Sequence, residues 1–140
     1  MKRAVFVDTD IILDLLTRRE PFYAAAAQLF SMVERGEQKA CVSSLTFVNL
    51  FYILRKELSA PKAVEALKKL RQLVTVLPVD DRIVALALDG SFTDFEDALQ
   101  YQTALSKGIA CLITRNTKDY RKPVITVCTA EEYLARRASV

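Results

Sequence analysis

Acids and amides follow short apolar runs at several separate places in this chain. Asp8 and Asp10 come after Ala4-Val5-Phe6-Val7, and Thr114, Asn116 and Asp119 come after Cys111-Leu112-Ile113. The run Ala40-Cys41-Val42 is followed by Ser43, Ser44 and then Asn49. The segment Asp94-Phe95-Glu96-Asp97 opens the helical pattern that feeds the Cys111 run. In an open α/β sheet, ligands bind outside the carboxyl ends of the strands, so these residues are expected to share one edge. Carboxylates crowded together repel one another, and their pKa values rise unless a cation neutralises them. Hard divalent ions such as Mg²⁺ accept oxygen ligands, keep several waters and can activate one of them against a phosphodiester. That chemistry needs no imidazole, and the chain has no histidine. The same absence excludes Ser-His-Asp triads, histidine-based ribonuclease chemistry and imidazole zinc sites.

The elements that must position these residues alternate between two periodicities. Short apolar runs at 4–7, 40–42, 74–77, 111–114 and 124–127 read as strands buried on both faces. Between them, helical spacing predicts a helix after Asp8 and Thr9 and another over 22–35. Further helices are expected over 45–57 and 61–73, the latter with Val64, Leu67, Leu70 and Leu73 as its apolar stripe. Asp80 or Asp81 opens a helix to 89, Thr93 is the expected cap of a helix over 94–107, and Thr129 caps a closing helix. This alternation predicts an α/β three-layer sandwich, with a central, mostly parallel sheet of about five strands and helices on both faces. With 140 residues, 51% of them hydrophobic, residues 1–140 are read as a single domain.

The formal charge of +3 is too small a bias to argue for nucleic acid by itself. Cys41, Cys111 and Cys128 each sit in an apolar run and form no CxxC pair. They read as buried small hydrophobes in a reducing cytosol, and a cytoplasmic location is expected. The apolar run after Met1-Lys2-Arg3 stops at Asp8, too soon for a signal-peptide core, and no stretch reaches the length of a membrane span.

Three segments carry a family resemblance. They are Val7-Asp8-Thr9-Asp10 with Ile11-Ile12-Leu13-Asp14, then Asp94-Phe95-Glu96-Asp97-Ala98-Leu99, then Thr114-Arg115-Asn116-Thr117-Lys118-Asp119-Tyr120. In this order, over nearly the whole chain, they resemble the PIN domain family. The resemblance implies a ribonuclease that uses Mg²⁺ or Mn²⁺ on single-stranded RNA. It also implies a bacterial toxin with an antitoxin protein as partner, and a homodimer to which the apolar segments 47–54 and 64–73 could contribute. It makes Asp8 and Asp97 direct metal ligands, with Asp119 or Asn116 as the last polar ligand and Thr114 in support. Two positions depart from the family's pattern: Asp10 stands where asparagine is usual, and Asn49 stands where a helix normally brings a glutamate. Asparagine offers a carbonyl but no charge, and Asp94, one turn before Asp97, is expected to compensate.

The expected site therefore comprises Asp8, Asp97 and Asp119 as catalytic residues, with Asp8, Asp94, Asp97 and Asn116 at the metal. Asn49, Thr114 and Asp10 support them. Arg115, Lys118 and Arg18 are the expected RNA contacts, from a basic set that also holds Arg19, Arg121 and Lys122. Tyr120 and Phe22 or Tyr23 are expected stacking surfaces. Plainer readings stay open beside these. Asp8 and Asp94 could be helix caps, Asp97 a first-turn acid, Asp119 a turn residue and Asn49 a structural hydrogen-bonder. Asp14 reads as a solvated helix residue, and the basic set as ordinary solubility charge. Two other functions also remain. One is a catalytically weakened PIN-like module that binds RNA or protein, suggested by Asn49. The other is a haloacid-dehalogenase-type phosphatase, suggested by Asp8-Thr9-Asp10 but lacking the usual following glycine–threonine and a lysine motif.

Overall fold

A computed structural model of the chain describes residues 3–90, 92, 94–120 and 123–138. Five strands form one sheet: β1 (Ala4–Val7), β2 (Lys39–Ser43), β3 (Thr75–Leu77), β4 (Cys111–Ile113) and β5 (Thr126–Cys128). Their order is β3-β2-β1-β4-β5 and all four pairings are parallel. β1 lies at the centre, with β2 on one side and β4 on the other. The chain first runs outward through β2 and β3, then crosses to β4 and β5. The switch point, where a crevice opens in such sheets, therefore lies between the ends of β1 and β4.

Side-chain alternation explains the layers. Val5, Val7, Ala40, Val42 and Ile113 pack into one core, and Phe6, Cys41 and Leu112 into another on the opposite face. The first core is covered by α1 (Thr9–Leu16), α2 (Tyr23–Glu34), α3 (Ser44–Glu57), α4 (Ala60–Leu73) and α7 (Ala130–Ala138). α6 (Phe95–Ser106) covers the second through Tyr101 and Ala104, and α5 (Asp81–Asp89) packs against α6 through Ile83 and Ala87. Local chemistry sets the helix ends. Ser43, Ser59, Asp80 and Asp94 each cap a helix by accepting a backbone N–H two or three residues into it. Thr129 and Glu132 form a reciprocal capping box at α7. Gly36 and Gly108, with φ of 76° and 67°, follow α2 and α6 in the left-handed region open to glycine.

The structure differs from the sequence expectations at several points. The last strand is Thr126–Cys128 rather than 124–127, because pairing with β4 sets Cys111 opposite Thr126 and Ile113 opposite Cys128. Val124 is left 82% exposed. On α4, Ala63 takes the buried place expected of Val64, which points outward. Asp94 is the cap of α6 rather than its first helical residue, and the expected cap Thr93 lies outside the described residues. Among the described residues, Cys41 and Cys128 are buried and Cys111 is half-buried; all three are free thiols. No helix among the described residues is long and apolar enough to cross a membrane.

Candidate functional site

Asp8 is the first residue past β1. Its backbone N–H donates to the Ile113 carbonyl at 2.9 Å, which ties it to the end of β4. Its side chain is buried, and four donors converge on it. Oδ1 accepts from the Thr9 N–H at 2.8 Å and from Gln100 Nε2 at 3.2 Å. Oδ2 accepts from Thr114 Oγ1 at 2.9 Å and from the Tyr120 hydroxyl at 3.3 Å. None of these donors is a cation. Asp8 is thus a helix cap, as its plainer reading held, and also the centre of a tertiary network.

Gln100 anchors α6 to that network. Its Nε2 donates to Thr46 Oγ1 at 2.9 Å, and its Oε1 accepts from Ser43 Oγ at 2.5 Å. All three residues are buried, so their pairing satisfies groups that would otherwise be costly. Asp97 lies one helical turn before Gln100 on the same face of α6. The Tyr120 hydroxyl stands 3.5 Å from Asp97 Oδ1 while it also faces Asp8. Two carboxylates far apart in sequence therefore share one phenol. Gln100 was not read as a site residue, and Tyr120 was read only as a stacking surface, not as a partner of the two carboxylates. The only available signals were a polar residue three positions after Asp97 and the aromatic that ends the last motif.

The network opens onto a cleft of about 260 Å³ lined by six acids: Asp8, Asp10, Asp94, Glu96, Asp97 and Asp119. Thr9 and Asn116 add polar wall, and Leu13 and Ile53 add apolar floor. A larger groove of about 410 Å³ lies between α1 and α4, lined by Leu15, Leu16, Leu70 and Leu73 among others, and holds one acid, Glu65. The acids therefore gather in the smaller cleft. Burial pushes Asp97 up to about 7, with Asp94, Asp8, Asp119 and Glu96 adding to the shift. Burial and then Asp8 push Asp10 up to about 6, against the opposing effect of Arg115. Glu96 is raised by burial, Asp8 and Asp94. The Tyr120 phenol is raised by burial and by Asp8 and Asp97, so it remains a neutral donor. Among the described residues, neither Asp8 nor Asp97 has an Arg or Lys ion pair.

This donor set suits a hard divalent cation, being all oxygen and mostly anionic. Asp10 lines the same cleft, and its Oδ1 is buried without a hydrogen-bond partner. Among the described residues, no three acids already stand in an arrangement that could hold a metal ion.

The remaining expected residues are distributed as follows. Asp119 and Asn116 line the cleft from the 3₁₀ turn Thr117–Asp119 and its cap. Thr114 sits behind Asp8, and Asp10 Oδ2 accepts from the Arg115 N–H at 3.1 Å. Asp94 contributes one oxygen to its cap, accepting from the Asp97 N–H at 3.0 Å. Asn49 is not in the cleft wall; its Nδ2 donates to Glu96 Oε1 at 2.8 Å. Arg115 donates through Nε to Asp14 Oδ2 at 2.8 Å and lies 4.3 Å over the Phe22 ring. Asp14 is therefore fully buried in an ion pair, not the solvated residue expected from its helix position. Arg19 pairs with Glu57 at 3.2 Å, and Arg18 lies 5.9 Å over Tyr23. Arg18 and Lys118 are exposed but do not line the cleft. Tyr120 is 4% exposed and packs against Phe92 and Tyr101, so it is no stacking platform. Arg121 and Lys122 lie outside the described residues.

Comparison with known proteins places the fold in a family. The chain is 29% identical to Ribonuclease VapC1 of Aquifex aeolicus (strain VF5) over 137 residues, covering 94% of each protein. Its fold is similar to the crystal structure of DNA-bound VapBC from Salmonella typhimurium, with a TM-score of 0.69 at 18% identity, covering 93% of this chain and 99% of that one. It is similar also to a toxin-antitoxin complex from Klebsiella pneumoniae, with a TM-score of 0.67 at 23% identity, covering 90% and 97%. The sequence model of the PIN domain matches residues 4–118, from the first strand into the last motif, one residue short of Asp119, and the chain belongs to the PIN domain family.

Proposed function

We propose that this chain is a metal-dependent endoribonuclease of PIN type that acts on single-stranded RNA in the cytosol, as the toxin of a toxin–antitoxin pair. The observation that carries the reading is the convergence of six acids on one cleft with no cationic partner for Asp8 or Asp97 among the described residues. The likeness to Ribonuclease VapC1 supports the ribonuclease activity, and the Klebsiella complex supports an antitoxin partner. The family match leaves the haloacid-dehalogenase alternative without support.

In this reading Asp8, Asp97 and Asp119 hold Mg²⁺ or Mn²⁺, with Asp94 and Asn116 completing the donor set. When bound, the ion supplies an activated water and offsets charge on the scissile phosphate. The chain's own residues orient these groups. Thr114 and Tyr120 fix Asp8 Oδ2, and Gln100 fixes Oδ1, so the carboxylate keeps one setting. Asp10 holds the Arg115 N–H and with it the turn that carries Asn116 and Asp119. Lys118, Arg18 and the N–H groups of Arg115 not used by Asp14 are the proposed phosphate contacts. The exposed Val48 and Tyr52 on α3, with Val64 on α4, are the proposed homodimer face.

A second reading, a weakened RNA- or protein-binding module, is favoured by the neutral Asn49 and by the lack of a pre-assembled trio of acids among the described residues. One experiment separates the two. Purified protein with Mn²⁺ is expected to cleave single-stranded RNA, and Asp8→Asn to abolish the cleavage. RNA that stays intact with wild type while still being bound would favour the module. Cleavage that survives Asp8→Asn would remove the nuclease assignment from this cleft.

A further inference from the structure

We propose that Glu96 is a metal-binding carboxylate of this cleft and that Asn49 is its positioning residue; the proposal rests on the nuclease reading above. Glu96 and Asp97 are consecutive in the first turn of α6, and side chains at adjacent helical positions diverge by about 100°. Both nevertheless line the cleft, because the cleft wraps around the start of the helix. Asp94, the cap, gives one oxygen to the Asp97 N–H within its own helix.

A first-turn acid is often only a favourable partner for the helix dipole. Two observations set Glu96 apart from that role. Its Oε1 is held from another element, by Asn49 Nδ2 of α3 at 2.8 Å. No Arg or Lys stands in an ion pair with it among the described residues, and Asp8 and Asp94 line the same cleft. Asn49 therefore orients the carboxylate without neutralising it. A lysine or arginine at the same place would cancel the charge that a cation needs. The departure at position 49 thus acquires a compensation. The carboxylate that α3 does not supply comes from α6, and α3 contributes the amide that steadies it.

The test is calorimetric titration of the metal-free protein with MnCl₂, alongside RNA cleavage and thermal melting. Glu96→Gln is expected to weaken Mn²⁺ binding about tenfold or more and to slow cleavage in parallel, with the metal-free melting temperature unchanged or higher. Asn49→Ala is expected to weaken binding less, by roughly threefold to tenfold. Moving the carboxylate to α3 in the double variant N49E/E96Q is expected to regain most of the affinity lost in Glu96→Gln. A merely structural role would not allow such a transfer. Glu96→Gln that binds Mn²⁺ and cleaves like wild type, while Asp97→Asn loses both, overturns this proposal and leaves the nuclease reading standing. A lower melting temperature in Glu96→Gln, or an N49E/E96Q protein no better than Glu96→Gln, also overturns it. Wild type that neither binds Mn²⁺ nor cleaves removes both readings.

Discussion

Two buried acidic regions lie within a turn or two of each other along α1, and the fold treats them in opposite ways. Asp14 is fully buried, and it receives Arg115 at 2.8 Å, beneath whose guanidinium lies Phe22. Asp8 and Asp97 receive only neutral donors, and Asp97 faces four further acids. Both Asp14 and Asp97 have raised pKa values with burial as the first cause. At Asp14 the guanidinium opposes the shift, whereas at Asp97 the charges of Asp94, Asp8, Asp119 and Glu96 all add to it. The chain thus demonstrates that it can bring a cation to a buried carboxylate in this neighbourhood, and among the described residues it brings none into an ion pair with Asp8 or Asp97. Uncompensated repulsion of this kind lowers stability and is kept where a ligand supplies the missing charge.

The sharpest break of the comparison removes one member from each region. Asp97→Asn is expected to lower RNA cleavage by roughly a hundredfold or more, because it takes a negative ligand from the cation. Its metal-free melting temperature should hold or rise, since repulsion is relieved. Arg115→Ala is expected to do the reverse to stability. It strands Asp14, whose Oδ1 already lacks a partner, and loses the contact over Phe22. The loss should fall at the lower end of about 3–5 kcal/mol, because the Arg115 side chain keeps 27% of its exposure. Chemical denaturation and a cleavage assay on both variants check the pair. Equal loss of stability in the two would erase the distinction.

Acidity sharpens the same contrast by a smaller amount. Asp97 at about 7 and Asp10 at about 6 lie above the values of an unfolded aspartate, near 4. The fold therefore favours their protonated forms. Their stabilising contribution is complete below about pH 4 and is lost as pH rises through 6 and 7. The metal-free protein is expected to melt at lower temperature at pH 8 than at pH 5, with a shallower trend in Asp97→Asn. Mn²⁺ should raise the melting temperature more at pH 8 than at pH 6, because a ligand must shed its proton before it binds. Thermal melts across pH, with and without Mn²⁺, test both signs. A metal-free protein that gains stability from pH 5 to 8 would contradict the cleft's electrostatics.

The sequence carried the framework of this contrast but not its partners. Runs such as 4–7 and 40–42 could be read because strands of a parallel sheet are apolar on both faces. Their chemistry-bearing ends could be read because parallel strands finish at one edge. β5 starts two residues later than expected because its register comes from β4 and not from its own β-branched run. Asp8 and Asp97 were legible as acids at element starts. Gln100 was not, since its polarity makes sense only beside Thr46 and Asp8, 54 and 92 residues away. Asp14 was misread for the same reason: its partner Arg115 stands 101 residues on. Local pattern reports where a side chain starts, whereas pairing across elements decides whether its charge is cancelled.

Tyr120 gives the finest test of where one region ends and the other begins. Its ring belongs to the core, packed against Phe92 and Tyr101, while its hydroxyl reaches Asp8 at 3.3 Å and Asp97 at 3.5 Å. Tyr120→Phe keeps the ring and deletes only the hydroxyl. One proton serves two acceptors at long distances, so the stability change should not exceed about 1 kcal/mol. The change in cleavage should be larger in proportion, about tenfold, because Asp8 and Asp97 lose the group that registers one against the other. Thermal melts and cleavage rates on this variant decide the matter. A small rate effect with a stability loss near that of Arg115→Ala would make the hydroxyl a structural anchor, and the cleft would then extend no further than Asp97 itself.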